Sequence, residues 1–260
     1  MENIRSKIPS KKIVVIIPTR YGSTRFTGKP LAAIMGKPMI QWVYERVCSQ
    51  RLLSQTAVAT DDPRIEEAVK SFGGNVVNTS SENRSGTDRV AEAAEIMNLD
   101  MEDIVVNVQG DQPLIDPRCI ETLIEPFFHL PDLETATLAF PIVEAGEITN
   151  PKDVKVVFDR EGYALYFSRS PIPCGRDPGT VFDVYKHLGI YAYTRKFLEF
   201  FRNLPEGRLE RIEKLEQLRG MEYGRRIKVI ITEYDSPEVD QPDDIAKIEN
   251  RLRERKKISP

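Results

Sequence analysis

Four short runs rich in valine and isoleucine constrain this chain more than any other feature: IVVII (13–17), TAVAT (56–60), NVVNT (75–79) and DIVVNV (103–108). They are largely apolar throughout instead of alternating, so they read as strands buried on both faces. Between them stand helix-like patterns, PMIQWVYERVCSQ (38–50), PRIEEAVKSF (63–72) and DRVAEAAEIM (88–97). That alternation predicts an α/β fold, a mainly parallel Rossmann-like sheet flanked by helices. Such sheets take their ligands beyond the carboxyl ends of the strands, where the strand order reverses. The loops that follow these strands are polar: PTRYGSTRFTGKP, ATDD, SSENRSGTDR and QGDQP.

The second half is less regular. TATLAFPI (135–142), DVKVVFD (153–159), YALYFS (163–168) and KHLGIYAYT (186–194) read as strands with few helices between them. They predict a smaller α+β excursion at about residues 135–200. Helices over 195–203 and 209–222, a strand IKVIITEY (227–234) and a last helix after VDQP complete the pattern. No repeat or linker divides the chain, so residues 1–260 read as a single domain.

A net charge of −3 argues against bulk attraction to nucleic acid or to an anionic membrane surface. Any basic site must therefore be local. Three scattered cysteines, with no CxxC pair, suit a reducing compartment and argue against a disulfide framework or a zinc cluster. The polar start and a first apolar run of only five residues give no secretory signal or membrane span, so a cytoplasmic location is expected.

The loop Pro18–Pro30 carries Arg20, Arg25 and Lys29 without an offsetting acid. It is not a Walker P-loop: Gly22 and Gly28-Lys29 are five residues apart, and Pro30 stands where the Mg²⁺-binding hydroxyl belongs. Spacing alone leaves polyphosphate binding and an ordinary solvated turn both open. Asp111 follows a buried strand, with Gly110 allowing the turn, and offers a hard oxygen ligand suited to Mg²⁺. Asp240 is a second such carboxylate, or else the N-cap of the last helix. In SGTDR, Ser85 or Thr87 caps a helix whose first N–H groups could hold a base or an anion. His187 reads as a core histidine or a polar contact beside a loop, and His129 as a cation at a helix terminus. In RLERIEKLEQLR, the apolar residues at 209, 212, 215 and 218 predict one buried helical face, with Glu213 and Gln217 together four apart and Glu216 close by. There is no GxSxG and no Ser-His-Asp pattern, so hydrolase chemistry has little support.

Taken in order, PTRYGSTRFTGKPL, ATDD, SGTDR, NVQGDQP, YALYFSR, KHLGIYAY, IEKLEQLR and VDQPDD resemble the 3-deoxy-manno-octulosonate (Kdo) cytidylyltransferases, or CMP-Kdo synthetases. The resemblance spans about residues 12 to 250. It departs from the family pattern at Thr27, where a proline is usual, and at Gln241, where threonine is usual. It implies a nucleotidyltransferase that joins CTP and Kdo into CMP-Kdo with release of pyrophosphate, an activation step for lipopolysaccharide synthesis. It implies catalytic Arg20, Lys29, Asp111 and Asp240, with Mg²⁺ held by Asp111 and Asp240. The nucleotide would meet Pro18, Arg20, Lys29, Ser85, Gly86, Thr87, Arg89 and Gln109. The sugar acid would meet Arg169 at its carboxylate, and Gln112, His187, Glu216 and Gln217 at its hydroxyls. The excursion would supply both sugar contacts and a homodimer interface. Alternatives are the 8-amino analogue of Kdo or a sialic acid as substrate, or a non-catalytic nucleotide-binding regulator on the same fold.

Overall fold

The computed structural model describes residues 11–22, 26–177 and 179–258; Arg25, one of the three cations of the first loop, lies outside them. The chain runs β1 (Ile13–Pro18), a small hairpin β2 (Ala33–Ile34) and β3 (Lys37–Pro38), α1 (Met39–Cys48), β4 (Gln55–Thr60), α2 (Pro63–Ser71), β5 (Val76–Asn78), α3 (Gly86–Ile96) and β6 (Ile104–Asn107). It continues through α4 (Arg118–Ile124), β7 (Thr135–Pro141), α5 (Ala145–Thr149), β8 (Lys155–Phe158), β9 (Ala164–Ser168) and β10 (Tyr185–Thr194). The end comprises α6 (Arg195–Arg202), α7 (Arg208–Glu213), α8 (Gln217–Glu222), β11 (Lys228–Ile231) and α9 (Asp244–Ile258).

The main sheet has the order β11-β7-β10-β6-β1-β4-β5. β1 pairs in parallel with both β4 and β6, β4 with β5, and β7 with β11. β10 alone on this path is antiparallel to its neighbours, β6 and β7. The α/β reading therefore holds, with β7 and β10 continuing the central sheet and the β8–β9 hairpin hanging from β10. All of β1 is buried, as its uninterrupted apolar run requires. One face packs Ile13, Val15 and Ile17 against α1 and α4; the other packs Val14, Ile16 and Val105 against α3 and the phenylalanines of α6. Each fully buried valine or isoleucine contributes about 1.5–3 kcal/mol. From β1 the chain winds outward through β4 and β5, then returns to place β6 on the opposite side. That reversal opens the ligand crevice at the carboxyl ends of β1 and β6.

Two expectations fail at the helix predicted over 209–222. Lys214 adopts a left-handed conformation (φ 54°, ψ 46°) and splits it into α7 and α8. The helical period is broken there, so Ile212 is 66% exposed while Leu215 and Leu218 are buried. Glu213 and Gln217 stand on different helices instead of one solvated face, and Gln217 is buried. Among the described residues no helix is long and apolar enough to cross a membrane.

Candidate active site

The first loop is built so that Lys29 points inward. Asp62 caps α2 by accepting the Arg64 N–H (3.0 Å), and its carboxylate also grips the Arg64 guanidinium (2.9 and 2.6 Å). Arg64 in turn lies 3.3 Å over the Tyr21 ring. Gly28 sits against that ring in a left-handed conformation (φ 72°), and a Cβ there would come 3.0 Å from Tyr21 Oη. Glycine is required, and the next residue begins a short 3₁₀ turn carrying Lys29. Lys29 Nζ reaches Asp111 Oδ2 at 2.5 Å, joining the β1 and β6 loops by a charge-assisted hydrogen bond. Gly110 is needed for space: a Cβ would lie 2.8 Å from Thr19 Oγ1, so only glycine lets this turn lie against the end of β1.

Pro18, Arg20, Lys29, Ser85, Gly86, Arg89, Gln109 and Asp111 all line one cavity of about 300 Å³. Eight of the sequence-predicted residues thus meet at the switch point. Ser85 is the N-cap of α3, its hydroxyl accepting the Asp88 N–H at 3.1 Å. Arg89 is buried, bonded to Thr79 (2.6 Å) and Asp61 (3.1 Å), which pins the ATDD loop to α3. Thr87, read from sequence as a possible cap, instead turns to the second half. Its hydroxyl donates to Glu216 Oε1 (2.7 Å) and its N–H to Glu216 Oε2 (3.3 Å).

The second carboxylate approaches through the backbone: the Val239 N–H donates to the Asp111 carbonyl at 2.9 Å, placing Asp240 beside the β6 loop. Asp240 is not an N-cap, because α9 begins at Asp244, whose carboxylate accepts the N–H groups of Asp240 and Gln241. Glu238, which sequence reading passed over, lies in the same crevice and accepts from Gln112 Nε2 at 3.3 Å. Although solvent reaches it, protein atoms crowd its carboxyl. Desolvation, with the Asp111 and Asp240 carboxylates, pushes it up to about 8. Glu238 is therefore largely protonated near neutral pH, while Asp111, paired with Lys29 through Oδ2, keeps Oδ1 buried without a partner. Among the described residues no three His, Cys, Asp or Glu side chains could hold a metal ion by themselves. Two carboxylates completed by phosphate oxygens and water are nevertheless a fit donor set for Mg²⁺.

The remaining predicted residues gather along β10 and α8. His187 Nε2 accepts the Gly189 N–H (3.2 Å) and lies 2.9 Å from Thr137 Oγ1, with Phe167 and Tyr191 against its ring. Burial pushes its imidazole down to about 3, so it is neutral at physiological pH. Gln112 is fully buried and donates to the Leu188 carbonyl (2.7 Å), leaving its Oε1 unpartnered. Gln217 is also buried, with Nε2 unpartnered. Buried orphans of this kind cost stability unless a water or a ligand supplies the partner. Arg169 differs. Its guanidinium is spent on the carbonyls of Glu213, Lys214 and Pro151, and like Gln112, His187, Glu216 and Gln217 it lies outside the lining of the cavity. Sequence reading also missed Asn83 and Arg84, which line the cavity beside SGTDR. Their only sequence signal was adjacency to that motif.

A family model described as cytidylyltransferase matches residues 14–227. The 3-deoxy-manno-octulosonate cytidylyltransferase of Desulfosudis oleivorans is 63% identical over 238 residues, 92% of this chain and 96% of that protein. The 8-amino-3,8-dideoxy-manno-octulosonate cytidylyltransferase of Shewanella amazonensis is 57% identical over 242 residues, covering 93% and 98%. A solved structure of CMP:2-keto-3-deoxy-manno-octonic acid synthetase complexed with CTP superposes with a TM-score of 0.88 at 44% identity, over 94% of this chain and all of that one. With these likenesses covering nearly its full length, the chain belongs to the 3-deoxy-manno-octulosonate cytidylyltransferase family and is a nucleotidyltransferase.

Proposed function

We propose that this enzyme transfers CMP from CTP to the anomeric hydroxyl of Kdo, releasing pyrophosphate, and so activates the sugar for lipopolysaccharide synthesis. The observation that carries this reading is the single cavity in which Arg20, Lys29 and Asp111 face Ser85 and Gly86 at the start of α3. Cations for a triphosphate, a carboxylate for a metal and a helix N-terminus for the nucleoside share one crevice. Arg20 and Lys29 clamp the triphosphate and neutralise charge that moves onto the departing pyrophosphate. Asp111 holds the Lys29 ammonium across the crevice. Asp111 and Asp240 would hold Mg²⁺, which would supply Lewis-acid polarisation of the α-phosphate. Ser85, Gly86, Thr87, Arg89 and Gln109 orient the cytidine. Gln112, His187, Glu216 and Gln217 orient the sugar acid so that its hydroxyl attacks the α-phosphorus in line, opposite the leaving pyrophosphate.

The 57% identity to the Shewanella relative supports a second reading within the same class, the 8-amino analogue as acceptor. Pyrophosphate release, measured with CTP and Mg²⁺ against Kdo, 8-amino-Kdo and N-acetylneuraminate, separates the two. The first reading expects the highest kcat/KM with Kdo; a preference for 8-amino-Kdo moves the assignment to the second. No release with either octulosonate sinks both.

A further inference from the structure

The crevice has two sides carried by different parts of the chain, and one buried arginine fastens them together. Arg219, on α8, is 2% exposed. Its Nε and Nη2 donate to the two carboxylate oxygens of Glu210 on α7 (2.9 and 2.6 Å), and its Nη1 donates to Asp88 Oδ1 on α3 (3.1 Å). Phe201 of α6 covers the guanidinium, with the ring centroid 4.4 Å away. Asp88 spends its other oxygen on Arg84 Nε (3.1 Å), and Glu210 also accepts the Gly207 N–H (2.9 Å). Two arginines and two carboxylates are thus fully paired.

The position of this network matters more than its charge. Asp88 follows Thr87 directly and sits in the first turn of α3, beside the nucleotide cavity. Arg219 lies within the first turn of α8, separated from Glu216 and Gln217 only by Leu218. Glu216 already grips Thr87, so α8 holds the first turn of α3 at two adjacent residues. α3 has an independent anchor on the sheet side, through Arg89 to Thr79 and Asp61 in the loops after β5 and β4. α8 is only six residues long and follows a left-handed break at Lys214. A buried ion network adds little net stability over apolar packing of the same volume, but its directional bonds fix one arrangement. We infer that Arg219 is a positioning residue, which sets the sugar-side Glu216 and Gln217 against the nucleotide-side turn of α3 through Asp88 and Glu210. The inference rests on the proposed reading that α3 meets CTP and α8 meets the sugar acid.

The test is steady-state pyrophosphate release by the full chain with CTP, Mg²⁺ and the preferred octulosonate, for wild type, Arg219→Lys and Asp88→Asn. Lysine keeps the charge but loses the forked geometry. Asparagine keeps the shape of residue 88 and leaves the Glu210 fork in place. The expected result is a rise of about tenfold in KM for the sugar acid, within the usual span of coupling between sites, with KM for CTP changed less than about threefold. A merely structural role leaves both KM values unchanged, because an unfolded fraction lowers only the concentration of active enzyme and hence the apparent kcat. Unchanged KM for the sugar, or KM for CTP rising in parallel with it, overturns the inference. Where Arg219→Lys does not fold, as judged by its melting curve, Asp88→Asn alone decides. Absence of turnover in the wild type with either octulosonate is a separate result: it removes the proposed function, and this inference with it.

Discussion

Lys29 and Asp111 touch across the crevice, and the two carboxylates of the proposed metal site answer to different anchors. Asp111 is fixed by Lys29, and Asp240 through its own N–H, which donates to the Asp244 carboxylate. If both ligate Mg²⁺, Asp111→Asn and Asp240→Asn each lower kcat by at least about a hundredfold, the usual cost of removing a main electrostatic stabiliser. Each also weakens Mn²⁺ binding measured by electron paramagnetic resonance; wild-type Mn²⁺ affinity in either variant removes that residue from the metal site. Asp111 was legible in sequence because it follows the buried strand β6 at a turn, whereas Asp240 lies well beyond the end of the half-exposed edge strand β11 and only its VDQPDD motif marked it. Glu238 was not legible, because its part in the crevice depends on Gln112, 126 residues away in sequence. His187 gives a second prediction. Its folded value, near 3, lies below the ordinary 6.5. The unfolded chain therefore binds the extra proton, and the neutral ring's contribution is full above about pH 6.5 and is lost as pH falls toward 3. From pH 7 to pH 5 the wild type should lose up to about 2 kcal/mol of urea-measured stability that His187→Gln does not lose. Equal losses in both proteins mean that the imidazole is already exchanging its proton with solvent in the folded state.

At the scale of elements, the strands of the first half lie within a residue or two of their apolar runs. A strand buried on both faces leaves a continuous signal that no partner can disguise. The antiparallel placement of β10 between β6 and β7 was not legible, since sequence marks a strand but not its neighbours. Nor was the break at Lys214. RLERIEKLEQLR carries a full helical period, and no glycine or proline announces the turn. Tertiary contacts override the local preference here: Arg169 donates to the carbonyls of Glu213 and Lys214 where α7 ends, and Arg219 draws α8 toward α3. A left-handed lysine costs about 1 kcal/mol that glycine would not incur. Lys214→Gly is therefore expected to raise stability by up to about 1 kcal/mol in urea unfolding, the gain being reduced by the greater freedom of glycine in the unfolded chain. A loss of more than about 1 kcal/mol would show that the lysine side chain contributes more than its backbone strain costs.

For the whole molecule, the apolar groups left on the surface are unevenly distributed. Val143 (78% exposed), Leu165 (62%), Val181 (97%) and Phe182 (40%) all fall in the stretch between β7 and β10, which holds the β8–β9 hairpin. Single exposed apolar residues are ordinary, but four large ones within forty residues call for a partner. The homodimer that the family resemblance implies would supply one. Leu165 is the most informative probe. It lies on β9 where the pairing with β8 skips a residue, and its side chain is largely exposed, so a charge at 165 leaves the fold intact. Light scattering on the wild type should give twice the 29.7 kDa chain mass, and Leu165→Asp should shift it toward the monomer as protein is diluted. A desolvated carboxylate at the interface costs several kcal/mol, enough to raise the dissociation constant by a hundredfold or more. A wild-type monomer at micromolar concentration would rule out the dimer. A Leu165→Asp dimer as tight as wild type would place the interface elsewhere, on the faces around α5 or the loop of Val181 and Phe182.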